Sequence, residues 1–292
     1  MSPWFWCQVF VSHLAAAPVE RAQWLADPTY VELLVKPDAL ALRGAETDGV
    51  EVQDVREKDG VVKANYRVGL RRNGRREAVK LSGLAGPFVQ ARALRRAIEQ
   101  VSAELAGVPD GLVLPVPMGQ SPGLSLLLFT PPAGARLPGM IEETPAVAEA
   151  LARALAALHA LDVVVPRLRP LAGYLAAAAR GPGGADPAQA VNGPIPELEG
   201  EEDLRRLSLD GVRLSQFTLE DGRIGLRRAD ALVMAHPLVA AGRLAAELAA
   251  GYPEEAAERF RRAYGEASGT PPEALRPFER LARPAVARKE AR

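Results

Sequence analysis

The strongest constraint in this chain is a change of hydrophobic period at Gly86-Pro87. Upstream, VEVQDV, VVKANYRVGL and REAVKLS alternate apolar with polar residues and are rich in β-formers. Asp59-Gly60 separates the first two runs and Asn73-Gly74 the second two. Both dipeptides accept the positive φ of a tight hairpin turn, so residues 50–82 are predicted to form a three-stranded antiparallel meander. Downstream, Leu94, Ile98, Val101 and Leu105 recur at helical spacing, which predicts a helix of about 18 residues. The run VELLVKPDALALR (31–43) offers one or two more strands, and GLVLPVP and LSLLLFT two others. PAVAEALARALAALHAL reads as a helix with Val147, Leu151, Leu155 and Leu158 on one face. Residues 181–200, rich in Gly and Pro, are predicted to be a mobile loop. Short strands are expected over 207–234, with a tight turn at Asp221-Gly222. Three helices are expected over 237–282.

Composition narrows the function. The 292 residues carry 36 basic and 36 acidic side chains, a net charge of +0. That balance argues against a nucleic-acid or membrane-surface protein. Cys7 is the single cysteine, which excludes internal disulfides and cysteine metal clusters. His13, His159 and His236 are far apart in sequence, which argues against a histidine metal site. No apolar run reaches the roughly 18 residues of a membrane span. The apolar N-terminal stretch lacks a basic start and is interrupted by Gln8, Ser12 and His13. It reads as an element packed on the body, and the expected compartment is the cytoplasm. Trp4, Phe5, Trp6 and Trp24 are candidates for an exposed apolar patch or for a clip onto the β-rich part.

These patterns predict an α+β, bilobal chain. Residues 1–45 form an extension or cap, 46–130 an antiparallel β lobe with one helix, 131–140 a connector, and 141–292 a mainly helical lobe carrying a hairpin.

The order of elements resembles the aminoglycoside phosphotransferase family, which has the protein kinase-like fold. Four stretches carry the resemblance: ANYRVGL, EAVKLS, LARALAALHAL and TLEDGRIGL…HPLVAAGRLAAEL. It implies that Lys80, in EAVKLS, is the lysine that grips nucleotide phosphates. On the following helix Gln90 shares the apolar side while Glu99 points nearly opposite. Gln90 is therefore the expected neighbour of Lys80, and Glu99 a solvated surface charge.

The polar positions depart from the family pattern. Anchored on TLEDGRIGL, the metal-binding Asn falls on Gln216 and the base Asp on Gly211, with Asp210 one residue early. Arg228 stands where the Mg²⁺-binding Asp belongs, and Asp230 matches the second acidic residue of that run. A guanidinium about 4 Å from a divalent cation costs roughly 8 kcal/mol at an effective dielectric near 20. The segment AHPLVAA has His236 and Ala240 in place of acidic residues. The strand turn REKDGVVKAN is a poor phosphate cradle.

The resemblance with these departures implies a phosphotransferase-like pseudokinase, a nucleotide- or small-molecule-binding or regulatory module. Lys80, Gln90, Arg227 and Arg228 would line its anion site. ATP is the candidate ligand, and no cofactor is required. An active kinase acting on a sugar-like hydroxyl would instead need Asp210 as base and Gln216 with Asp230 on Mg²⁺. A scaffold for a neighbouring enzyme, with a protein partner, is the third reading.

Overall fold

A computed structural model describes residues 18–35, 46–58, 60–86, 91–121, 125–179, 198 and 204–282. Gln90, Trp4, Phe5, Trp6 and nearly all of the predicted loop 181–200 lie outside the described residues. The chain divides into two compact units, one of residues 1–99 and 115–131, the other of 100–114 and 132–292.

In the first unit, α1 (Pro18–Ala26) and α2 (Pro28–Leu34) precede the meander β1 (Glu46–Lys58), β2 (Val61–Arg72) and β3 (Arg75–Ala85). Helix α3 (Ala91–Leu105) follows, then β4 (Val116–Ser121) and β5 (Leu126–Thr130). The strands form one antiparallel sheet, ordered β1-β2-β3-β5-β4. The Asn73-Gly74 turn has φ of 50° and 75°, the left-handed pair that a tight hairpin demands.

The period-2 pattern sets the core. Val62, Ala64, Tyr66, Val68 and Leu70 alternate inward along β2 and pack with Leu81 and Ala85 of β3. Leu25, Val31 and Val35 from the helical N-terminal segment join the same cluster, with Trp24 and Tyr30 partly buried against it. The Tyr66 hydroxyl donates to the Leu25 carbonyl at 2.9 Å. Leu25, Val31 and Val35 thus tie this helical segment into the first unit's core.

Two strand expectations are corrected. Residues 31–34 are helical, because Asp27 caps α2 by accepting from the Thr29 and Tyr30 N–H groups and Pro28 starts the helix. Capping wins over the β-formers Val31 and Val35. The expected GLVLPVP strand begins only at Val116, and Val113 instead makes a single bridge to Gly225 within the second unit.

The second unit begins with the C-terminal part of α3, where Val101 and Leu105 are buried. β6 (Ala135–Arg136), α4 (Leu137–Glu143), α5 (Val147–His159) and α6 (Leu171–Ala179) follow. Next come β7 (Arg206–Leu209), β8 (Phe217–Glu220), β9 (Arg223–Leu226) and β10 (Leu232–Ala235). Helices α7 (Pro237–Gly251), α8 (Glu254–Ser268) and α9 (276–282) end the described chain. β10 pairs with β7, and β6-β8-β9 form a second small sheet.

Val147, Leu151, Leu155 and Leu158 are all buried on the predicted face of α5, which packs on α8. His159 lies wholly inside, between the Tyr264 hydroxyl at 2.8 Å and the Ser208 hydroxyl at 3.2 Å. Burial, helped by the charge of His236, pushes its pKa down to about 3, so the ring is neutral at pH 7. At Gly242 of α7 a Cβ would come within 2.5 Å of Phe278 Cβ and 2.7 Å of the Phe278 backbone. Only a glycine lets α7 and α9 approach this closely.

Candidate functional site

The paired strands β7 and β10 carry the site-bearing loops of the second unit. Asp210 directly follows β7, and its N–H donates to the Ala231 carbonyl at 2.8 Å, so it sits at a fixed height beside the 228–231 segment. Gly211 comes next at φ 62°, a left-handed turn that a side chain would strain.

Asp210 is enclosed. Its side chain is 4 % exposed. Oδ2 accepts from Arg167 Nη2 at 2.5 Å, while Oδ1 accepts from Arg169 Nη1 at 2.6 Å and from the Tyr174 hydroxyl at 3.1 Å. The Arg169 guanidinium also lies 4.3 Å over the Tyr174 ring. Burial first, and then the Asp210 charge, push the Tyr174 hydroxyl well above its ordinary pKa. Both carboxylate oxygens therefore already accept hydrogen bonds from neighbouring side chains.

Arg228, the residue that the sequence reading expects at the metal-gripping position, directly precedes the 3₁₀ turn Ala229–Ala231. It meets Asp230 through two parallel bonds, Nε to Oδ1 at 2.7 Å and Nη2 to Oδ2 at 3.0 Å. Its Nη1 donates to the carbonyls of Gly211 at 3.0 Å and Asp210 at 3.3 Å. Burial lowers the proton affinity of this guanidinium, but the bond to Asp230 and the charges of Asp230 and Asp210 outweigh it, so its pKa ends above the ordinary value. Arg167 completes the lattice with a bond to the Asp230 carbonyl at 2.8 Å. Each loop thus lends a carboxylate to an arginine that also grips a carbonyl of the other loop.

These residues do not fit a Mg²⁺ site. Mg²⁺ takes hard oxygen ligands in near-octahedral array. The Asp230 carboxylate is closed by Arg228, and Gln216 Oε1 accepts from the Arg213 N–H at 3.0 Å. Among the described residues, no group of three or more His, Cys, Asp or Glu side chains is placed to hold a metal. The side chains that an active kinase would need as base and metal ligands, Asp210, Gln216 and Asp230, each accept a hydrogen bond from a neighbour in the second unit. Arg228 spends its bidentate edge on Asp230.

The other predicted residues lie in the first unit. Lys80 is exposed on β3, opposite Arg67 of β2, on the face away from Leu81 and Tyr66. Glu99 is exposed and pairs with Arg95 four residues earlier at 2.8 Å, a solvated helix charge as expected. Trp24 packs against the core cluster of this unit.

Sequence reasoning missed Arg167, Arg169 and Tyr174. A signal was present: PRLRP puts two arginines two residues apart, which places them on one side of an extended segment. That segment lies beside β10 through the Leu168–Met234 bridge.

The chain has the protein kinase-like fold found in aminoglycoside phosphotransferases and choline/ethanolamine kinases. A choline/ethanolamine kinase family protein from Mesorhizobium loti superposes over 90% of this chain and 93% of its own, at 15% identity and TM-score 0.50. An aminoglycoside phosphotransferase solved with AMP-PNP and hygromycin B superposes over 87% of this chain and 88% of its own, at 16% identity and TM-score 0.51. A spectinomycin phosphotransferase solved with ADP and spectinomycin covers 84% of this chain and 83% of its own, at 10% identity and TM-score 0.51. No family model and no curated protein matches the sequence. Among the described residues, no helix is long and apolar enough to cross a membrane.

Proposed function

We propose that this chain is a phosphotransferase-like pseudokinase, a nucleotide- or small-molecule-binding or regulatory module that works without Mg²⁺-dependent phosphoryl transfer. One observation carries the reading: the Arg228 guanidinium sits between the Asp230 carboxylate and the Asp210 and Gly211 carbonyls. A fixed monovalent cation fills the coordination that a metal would need. The enclosed Asp210 supports the same reading, because a general base must reach the hydroxyl it deprotonates. The active-kinase alternative requires Asp210 to shed Arg167 and Arg169, and Asp230 to shed Arg228.

ATP is the ligand to try first, since the solved relatives hold AMP-PNP and ADP. Thermal unfolding with ATP in EDTA, and again with Mg²⁺, tests the proposal. The expected result is equal stabilisation in both conditions and no ATP consumption with hydroxylated acceptors. Stabilisation that requires Mg²⁺, or Mg²⁺-dependent transfer to a hydroxyl, overturns it. In R228D the freed corner is expected to gain Mg²⁺ dependence.

A further inference from the structure

Four arginines of the second unit, outside the Asp210 lattice, stand on segments that meet at the short 3₁₀ turn Leu214–Gln216. Arg213 caps the turn through its N–H to Gln216 Oε1. Arg136, at the end of β6, donates from Nη1 to the Ser215 carbonyl. Arg227, one residue past β9, donates its N–H to the Gln216 carbonyl at 2.8 Å. Glu247 of α7 accepts from the Leu214 N–H at 3.0 Å, and Arg243 stands one turn earlier on the same helix.

The nearby carboxylates have other commitments. Asp210 serves Arg167 and Arg169, Asp230 serves Arg228, and Glu247 holds the turn itself. The Arg243 Nε is buried and has no hydrogen-bond partner among the described residues. Burial, and then the charge of Arg136, hold the Arg227 guanidinium below its ordinary pKa. At Arg243 burial comes first, then Arg213 and Arg228, against partial attraction from Glu247 and Asp210. Arg227 and Arg243 are partly buried, while Arg136 and Arg213 are exposed; like charges gathered in this way repel, and guanidinium N–H donors at such a place are matched by a planar or tetrahedral oxyanion. A cationic amino sugar would be repelled from the same place.

We infer that Arg136, Arg213, Arg227 and Arg243 form an anion seat around the Leu214–Gln216 turn, suited to the phosphate or polyphosphate group of a small molecule. The seat deepens the proposed function by naming the ligand's chemistry, and its independence of divalent metal rests on that reading.

The test uses the full chain with inorganic pyrophosphate in EDTA, at constant ionic strength, followed by calorimetric titration and thermal unfolding. The expected result is saturable binding and a raised Tm. The double variant R227Q/R243Q is expected to bind at least tenfold more weakly, while its ligand-free Tm at low salt stays level or rises as repulsion is relieved. The control R262Q removes one charge from an exposed arginine paired with Glu149 and is expected to bind as wild type. Should the double variant fail to fold, R136Q replaces it, with at least threefold weaker binding expected.

Three results overturn the seat: no saturable pyrophosphate effect beyond that of sodium chloride, wild-type binding by the variants, or equal weakening in R262Q. Metal-free ATP binding without pyrophosphate binding would sink the seat alone. A strict Mg²⁺ requirement for ATP would instead sink the function proposed above.

Discussion

Asp210→Asn separates a structural carboxylate from a catalytic one by the sign of its effect on stability. The substitution keeps the shape and removes the charge. Wild-type Asp210 accepts two charge-assisted bonds, at 2.5 Å from Arg167 and 2.6 Å from Arg169, and one from the Tyr174 hydroxyl. An asparagine retains one acceptor oxygen, and its NH₂ then faces an arginine N–H, donor against donor. Bonds to charged groups contribute about 1.5–3 kcal/mol each. The two arginines are 47 % and 38 % exposed, so water re-solvates them in the variant and the loss must be discounted. A net destabilisation of about 2–3 kcal/mol remains. Urea unfolding at pH 7, with an unchanged m-value, measures it directly. A buried catalytic charge held against its own stability behaves the other way, and its neutralisation leaves the protein level or more stable. A D210N protein within about 0.5 kcal/mol of wild type, or above it, refutes the structural assignment.

Three further outcomes are expected. R228A leaves the Asp230 carboxylate and two carbonyls without their donor and costs about 2–3 kcal/mol in urea unfolding; R228K recovers less than half, because an ammonium cannot make the paired contact. His159 has a folded pKa of about 3 against an unfolded value near 6.5. Below pH 6.5 the unfolded chain binds a proton that the folded chain refuses, so stability falls as pH drops from about 6.5 towards about 3, by up to ~1.4 kcal/mol per pH unit. H159Q, which does not titrate, should flatten that limb of the curve. G242A forces a methyl group against the Phe278 backbone and is expected to cost about 1–3 kcal/mol, read as a lower Tm.

The parts of the fold legible in the sequence are those decided by neighbours along the chain. Asn73-Gly74 and Asp221-Gly222 announce their turns because positive φ is a local demand, and both take it. The α5 stripe from Val147 to Leu158 is legible because burial follows the helical period. Residues 31–34 misled because apolar β-formers look alike in a strand and a short helix, and Asp27 with Pro28 decided the matter from outside the run.

The site is legible only in part. The sequence places Arg228 where a carboxylate is expected, but not which oxygens it will find. Its partners are two residues away at Asp230 and seventeen away at Gly211. The enclosure of Asp210 depends on Arg167 and Arg169, more than forty residues upstream. Such pairings are chosen by tertiary proximity, and no local pattern fixes them.

The positive charge lodged against Asp230 is also covalently part of the chain. A bound ion leaves when its free concentration falls, and a chelator strips it; a tethered guanidinium has no off-rate and draws on no pool. On the function proposed above, the geometry of these two loops is therefore indifferent to how much free divalent cation surrounds the protein. On that reading, the supply of the ion does not set the shape of the Asp210 and Asp230 loops.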